Sequence, residues 1–150
     1  MKIEFICFIA WMVAQILKLI FNAVKFALNK NENMPKLTPE ILFKLGGMPS
    51  SHTATVIALA ASIGLHCGWN SDIFAVSGVF SFIVMFDAIN VRRPIGKLTD
   101  AFNSLRKAVL GKDTDEVKKV EGHTFPEVVG GFIVGVAVAY IMVRIVGFLD

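Results

Sequence analysis

Two histidines stand where polar motifs run into apolar segments. His52 follows a Gly-Gly-Met-Pro-Ser-Ser run, and His123 follows Gly122. Two further cations, Arg92 and Arg93, come directly after another apolar segment. An imidazole can attack phosphorus or donate a proton, a guanidinium pairs with phosphate oxygens, and helix N-termini attract anions. Groups of these types, brought to one place, would suit chemistry on a phosphate group.

Glu127 lies four residues after His123, so both side chains fall on one face of a helix. A carboxylate at this position can accept a hydrogen bond from one ring nitrogen. That bond fixes the tautomer and leaves the other nitrogen free to attack. Alternatively, Glu127 only stabilises the positive end of the helix dipole. The motif alone leaves both interpretations open.

The residues before His52 favour a helix start, because Ser50 or Ser51 is a natural N-cap. Backbone N–H groups of such a turn point towards an incoming anion. The alternative is a simple cap with the histidine at the membrane interface.

The arginine pair also has two interpretations. Arg92 and Arg93 can bind phosphate, or they can anchor the end of a membrane span. Asp87 precedes them by about one helical turn, so it can pair with one arginine and hold its guanidinium in place.

The elements that must position these groups are membrane helices. The 150-residue chain is 55% hydrophobic, and its mean hydropathy is +0.64. Its apolar residues fall in four blocks of about the 20 residues that cross a bilayer. The blocks are 3–28, 50–69, 72–91 and 125–149. We predict a single-domain, all-α integral membrane helical bundle over residues 1–150, with about four transmembrane helices.

A short amphipathic helix is predicted after the third span. Pro94 and Gly96 should break the chain there, and residues 97–110 then place apolar side chains at helical spacing against a charged face. We expect this helix to lie on the membrane surface.

The distribution of charge predicts the topology. Cations cluster in segments 29–49 and 92–124, which the positive-inside rule places in the cytoplasm. Both termini should then lie outside, and the candidate site should face the cytoplasm, in a protein of the bacterial cytoplasmic membrane. Neither a nucleic-acid motif nor a metal-ligand spacing is present, so we expect no nucleic acid, metal or cofactor.

Lys18 stands in the middle of the first span, where a cation is costly, so we expect it to face the bundle interior. Cys7 and Cys67 fall near the predicted outer ends of their spans, and either free thiols or a disulfide would fit. Gly131 and Gly135 form a small-residue face that packs within the monomer or between subunits of a homo-oligomer.

Three motifs resemble one family, the divergent branch of the type 2 phosphatidic acid phosphatases (PAP2), relatives of acid phosphatases and vanadium haloperoxidases. They are Gly-Gly-Met-Pro-Ser-Ser-His-Thr-Ala (46–54), Asp-Ala-Ile-Asn-Val-Arg-Arg (87–93) with Gly96, and Gly-His-Thr-Phe-Pro-Glu-Val (122–128) with Gly131. Gln15 and Lys18 also look like a feature of the family's first span.

The resemblance implies a role for each group. It makes His52 the proton donor, His123 the nucleophile and Glu127 the acid that orients it. Phosphate contacts would come from the following set: Arg92, Arg93, Ser50, Ser51 and Lys18, with Asp87 in support. The chain also departs from the pattern of the wider superfamily. Val117 stands where an arginine is usual six residues before His123, and no Arg-Pro motif precedes His52. Within the divergent branch, Asn90 and Leu98 replace the usual Gly and Gln.

The implied activity is that of a metal-independent phosphoric monoester hydrolase. Its substrate and partner would be a phosphorylated membrane lipid, such as phosphatidylglycerophosphate or phosphatidic acid, and catalysis would pass through a phosphohistidine. One alternative is a non-catalytic membrane protein that binds a phospholipid or scaffolds partners. A third class, less favoured, is a vanadate-dependent oxidase.

Overall fold

The computed structural model describes residues 3–28, 47–111, 115–119, 122–145 and 147, and these contain helices and no strand. The predicted loop over 29–46 lies outside the described residues. Five α-helices are described, with two π-helical segments. They are α1 (Ile3–Leu28), α2 (Ser51–Cys67), α3 (Asp72–Asp87), a π segment Ala88–Arg92, α4 (Arg93–Leu110), α5 (Phe125–Tyr140) and a π segment Ile141–Ile145. The prediction of an all-α helical membrane bundle is confirmed.

Three helical stretches are long and apolar enough to cross a membrane, namely Ile3–Lys25, Asp72–Leu110 and Phe125–Ile145. The fourth apolar helix, α2, has 17 residues and is therefore about 26 Å long, slightly short of the hydrocarbon core. Large apolar side chains such as Phe8, Phe82 and Ile133 are exposed on the outer helices. In a bilayer these faces meet lipid.

The short helix α2 is the centre of the bundle, since α1, α3 and α5 all pack against it. Its closest neighbour is α5, where Gly131 lies against the carbonyl of Ser50 and Gly135 lies against the carbonyl of Ala54. The small-residue face of α5 therefore packs within the chain, and association between copies stays a prediction.

Small side chains let α1, α2 and α5 approach closely. Ile6 and Ala10 of α1 meet Ala58 of α2 and Ala139 of α5 in one buried cluster. On the other side of α2, the Ser81 hydroxyl of α3 donates to the carbonyl of Val56 at 2.9 Å. Packing of small residues and a hydrogen bond between helices are what stabilise helix pairs in lipid.

The predicted break at Pro94 and Gly96 is wrong, because the helix runs without interruption from Asp72 to Leu110. A π-helical segment, Ala88–Arg92, precedes Pro94, which occupies the first turn of α4. Proline has no N–H to donate inside a helix, and the π turn before it shifts the register of the backbone hydrogen bonds, so the helix continues past Pro94. The predicted amphipathic helix is thus the continuation of the third span.

Residues 115–119 lie alongside α4. The side-chain amide of Asn103 bonds both backbone groups of Val117, at 2.9 and 3.0 Å, and Lys119 pairs with Asp100 at 2.5 Å. The apolar side chains of α4, including Leu98 and Leu105, remain exposed. The described chain resumes at Gly122, and His123 lies beside the π segment.

Candidate active site

The first turn of α2 and the residue pair before α5 bring the two histidines together. The ring centroids of His52 and His123 are 6.2 Å apart, and the rings are inclined by 58°. His123 is buried, with 3% of its surface exposed, whereas His52 is exposed. One imidazole is therefore enclosed by the protein, and the other is accessible from outside it.

Backbone contacts fix the position of His123. Its N–H donates to the carbonyl of Ala88 in the π segment at 3.1 Å. The preceding residue, Gly122, lies so close to the backbone of Arg93 that a Cβ there would be 2.2 Å from the Arg93 nitrogen. A glycine is required at this crossing, and the crossing ties the start of α5 to the end of the third span.

Glu127 makes the contacts that both interpretations of the sequence require, although His123 lies just before the N-cap Thr124 and not on the helix itself. Its Oε2 accepts the backbone N–H of Thr124 at 2.8 Å, which with the Thr124 side chain completes a capping box at the start of α5. The same oxygen lies 3.3 Å from Nδ1 of His123. With the proton on Nδ1, His123 donates to the carboxylate and its Nε2 has a free lone pair.

The surroundings keep His123 neutral. This residue precedes the membrane-spanning part of α5, and burial lowers its pKa below the ordinary value of 6.5. The charge of Glu127 and its hydrogen bond raise the pKa and so partly offset burial, while the positive charge of Lys18 lowers it further. A lowered pKa leaves the imidazole unprotonated near neutral pH, as a nucleophile requires.

Ser50 caps α2 and joins it to α5. Its hydroxyl accepts the backbone N–H of Thr53 at 3.3 Å and the Thr53 hydroxyl at 3.0 Å. Its own N–H donates to the carbonyl of Glu127 at 2.9 Å. Ser50 is fully buried and Ser51 is 4% exposed, so the direct phosphate contacts predicted for them stay predictions.

The predicted pairing of Asp87 with one arginine involves Arg92, whose Nε lies 2.5 Å from Oδ2 of the carboxylate. The charge of Arg92 also acts on the ring of His52, and the Arg92 side chain is about half exposed. Arg93 is exposed as well, and its backbone lies against Gly122. The geometry therefore distinguishes two arginines that the sequence presents as equivalent.

Lys18 faces the bundle interior as predicted, with 1% of its surface exposed. Its aliphatic stem packs beside Gly47, just before the cap of α2. Its ammonium acts electrostatically on both His52 and His123. The site thus has one buried cation, Lys18, and one half-exposed cation, Arg92, whose charges act on the histidines.

Two structural roles in the site have weak sequence signals. Thr53 is buried and donates its hydroxyl to the cap of α2, and the carbonyl of Ala88 holds the backbone of His123. A backbone carbonyl leaves no signal in a sequence, whereas Thr53 stands three residues after a cap serine, a spacing that favours such a bond.

Val117, which stands where the wider superfamily has an arginine, lies away from the histidine pair. Its backbone is bound to Asn103, which is about 15 Å further along α4 than Arg93. Among the described residues, Arg92 and Lys18 act on the charge of His52, and Lys18 also acts on His123.

Taken together, these groups could hold a phosphate between a fixed, neutral imidazole and an exposed one, with cations on two sides. Among the described residues no group of three or more His, Cys, Asp or Glu side chains is arranged to hold a metal ion.

Comparison with known proteins agrees with the motifs. Residues 2–138 match the model of the family described as "Divergent PAP2 family". The chain is also 34% identical, over 121 residues, to a protein named "Uncharacterized membrane protein YuiD" of Bacillus subtilis (strain 168), an alignment that covers 71% of this chain and 77% of that protein. No solved structure gives a significant match. The chain therefore belongs to the divergent PAP2 family of membrane proteins.

Proposed function

We propose that the protein is a phosphatase of membrane lipid phosphates that works through a phosphohistidine. The observation that carries the proposal is the histidine pair. A buried His123, bonded to Glu127, faces an exposed His52 at a ring distance of 6.2 Å. A nucleophile oriented by a third group, with a second acid-base group across the reacting atom, is the arrangement that covalent catalysis needs.

In the first step, Nε2 of His123 attacks phosphorus and forms the N–P bond while the P–O bond to the lipid breaks. The leaving alkoxide takes the proton of a protonated His52. The dephosphorylated lipid leaves with a free hydroxyl. Glu127 holds the Nδ1 proton of His123 throughout, so the tautomer does not change.

In the second step, water attacks the phosphohistidine and gives its proton to the now neutral His52. The N–P bond breaks, inorganic phosphate leaves, and His123 returns to its neutral form. The two steps use His52 first as an acid and then as a base, so the cycle restores both histidines.

Charge on the transferring phosphoryl group would be stabilised by the two nearby cations, Lys18 and Arg92, and by the N-terminus of α2. Partial desolvation of the His52 ring and then the charges of Arg92 and Lys18 oppose its protonation before substrate binds. A bound phosphate dianion reverses that effect, because an adjacent negative charge favours the protonated imidazole. Substrate binding would therefore prepare the acid.

The lipid substrate is favoured by the position of the site at the ends of membrane helices. The basic residues of the adjoining segment 92–119 support a cytoplasmic orientation under the positive-inside rule. A cytoplasmic site would suit lipids that are phosphorylated inside the cell, such as phosphatidylglycerophosphate or phosphatidic acid.

The test is phosphate release by the purified protein in mixed micelles of phosphatidic acid or phosphatidylglycerophosphate, with a chelator present. We expect release by the wild type and by His66→Ala, which replaces a histidine at the opposite end of α2, and none by His123→Ala. Saturable lipid binding without release would instead favour the non-catalytic alternative. Oxidation that requires added vanadate would favour the oxidase.

A further inference from the structure

A lateral cavity of 440 Å³ lies between α1, α2 and α3. Its wall surface is almost entirely apolar, although Glu4 of α1 is one of the lining residues. The lining side chains also include Thr55, Leu59, Ile63 and Cys67 of α2, Cys7 of α1 and Phe80 of α3. Thr55 donates its hydroxyl to the carbonyl of Ser51 at 2.8 Å, so its hydrogen-bonding need is met within α2. Both cysteines are free thiols. The volume is within the range of small-molecule sites, about 300–1,000 Å³.

The cavity and the histidine pair share one face of α2. His52 precedes Thr55 by three residues, and Leu59, Ile63 and Cys67 follow at intervals of four. Residues three and four apart lie one above another on a helix, so these side chains form a continuous stripe. The stripe begins with the exposed imidazole of the candidate site and continues as the wall of the cavity.

The length of the stripe suits a lipid chain. From Thr55 to Cys67 the helix rises about 18 Å, which is close to the depth of one leaflet of a hydrocarbon core about 30 Å thick. The cations lie at the His52 end, where Lys18 and Arg92 act on the ring. Charge and apolar surface are therefore arranged in the same order as the phosphate and the chain of a phospholipid.

We propose that this cavity is the acyl-chain site for the lipid whose phosphate lies between His52 and His123. The inference rests on the proposed function. It adds a binding site for the acyl chain, the part of the substrate that is remote from the reacting bond. Water is a poor occupant because the walls offer few polar partners. Binding energy from a remote part of a substrate can be used to orient the reacting group, so a chain in this cavity would place the phosphate between the histidines.

The kinetic test fills the cavity. Leu59→Trp should lower kcat/KM for a long-chain phosphatidic acid by about tenfold or more, because remote contacts contribute to transition-state binding. The same variant should hydrolyse phenyl phosphate, which has no acyl chain, at the wild-type rate. The matched control is Ile83→Trp, since Ile83 is exposed on α3 and does not line the cavity. We expect this control to behave as wild type on both substrates.

An equal loss on both substrates with Leu59→Trp, or no loss on either, overturns the acyl-chain site. The acyl-chain site is also overturned if Ile83→Trp lowers kcat/KM for the long-chain substrate as much as Leu59→Trp does. That result would show that the loss comes from a changed lipid-facing surface and not from the filled cavity.

A second measurement needs neither a variant nor turnover. Phosphatidic acid with a photoreactive group midway along its acyl chain is crosslinked to the wild-type protein in vesicles. We expect label on the α2 segment 55–67 that excess unlabelled phosphatidic acid displaces and phosphatidylcholine, which lacks a terminal phosphate, does not. Label spread over the exposed face of α3 with no selective displacement means bulk lipid only and overturns the inference. Absence of phosphate release together with selective label on α2 overturns the proposed function and leaves the chain site standing.

Discussion

Replacing Gly131 with alanine should open the interface between α2 and α5 immediately behind the site. The added Cβ would lie 2.4 Å from the carbonyl oxygen of Ser50 and 2.8 Å from Cβ of Thr53, whereas ordinary contact begins at 3.4 Å. The first turn of α2 and the start of α5 must therefore separate by about 1 Å. A displacement of about 1 Å between reacting groups can cost about 100-fold in rate, and overpacking costs about 1–3 kcal/mol of stability. Since His52 is on that turn of α2, we expect both losses.

The assay compares kcat/KM and the thermal unfolding temperature in detergent for three alanine variants. Gly131→Ala should lose activity about 100-fold and unfold at a lower temperature. Gly135→Ala, whose Cβ would lie 2.6 Å from the Ala54 carbonyl one turn further from the site, should lose similar stability and less activity. Gly78→Ala is the control, because no atom lies within 4 Å of its added Cβ. If Gly131→Ala matched Gly78→Ala within twofold in activity and unfolded at the same temperature, the close α2–α5 contact would be refuted.

Three further changes test the charges around the histidines. Lys18→Met should weaken inhibition by inorganic phosphate about tenfold or more, measured as Ki, and unchanged inhibition would remove this residue from the phosphate site. Arg92→Ala should raise KM for the lipid phosphate. Asp87→Asn should raise KM less, because it releases the guanidinium without removing it. Equal KM values in the wild type and both variants would contradict this. Glu127→Gln should lower kcat and move the acid limb of the pH profile to lower pH. Without the carboxylate the pKa of His123 is no longer raised, so the imidazole stays neutral in more acidic solution. Profiles of kcat against pH for the wild type and the variant, measured with the same substrate, show the shift. An acid limb that moves to higher pH would contradict the prediction.

Much of the fold follows from short-range patterns in the sequence. Apolar blocks of spanning length predict membrane helices, and the serines before His52 predict a helix start, which the structure has at Ser51 with Ser50 as the cap. The four-residue spacing of His123 and Glu127 predicts their contact, and the structure makes it across the cap of α5, with His123 just before the N-cap Thr124 and Glu127 in the first turn. These features depend on neighbours within one or two turns, so a sequence carries them.

Other features depend on tertiary contacts and were missed or left open. The helix passes Pro94 without a break because a π turn precedes it, and the sequence alone favoured a stop at that proline. Arg92 and Arg93 look alike in sequence, and the three-dimensional structure is needed to show that Arg92 is the one that pairs with Asp87. Similarly, the bond between Asn103 and Val117 joins residues fourteen positions apart, a distance over which periodicity carries no information.

Trapping of the covalent intermediate tests the central claim most directly. The purified protein is mixed rapidly with a lipid phosphate that carries a radiolabelled phosphoryl group, then quenched, and the labelled residue is identified by peptide mapping. We predict a phosphohistidine at His123 in the wild type and none in His123→Ala. In His52→Ala we predict slower formation from the lipid ester than from a phenyl ester, whose oxygen needs little protonation. A phosphoenzyme that persists in His123→Ala and vanishes in His52→Ala would reverse the two roles, and turnover without any phosphoenzyme would show direct attack by water.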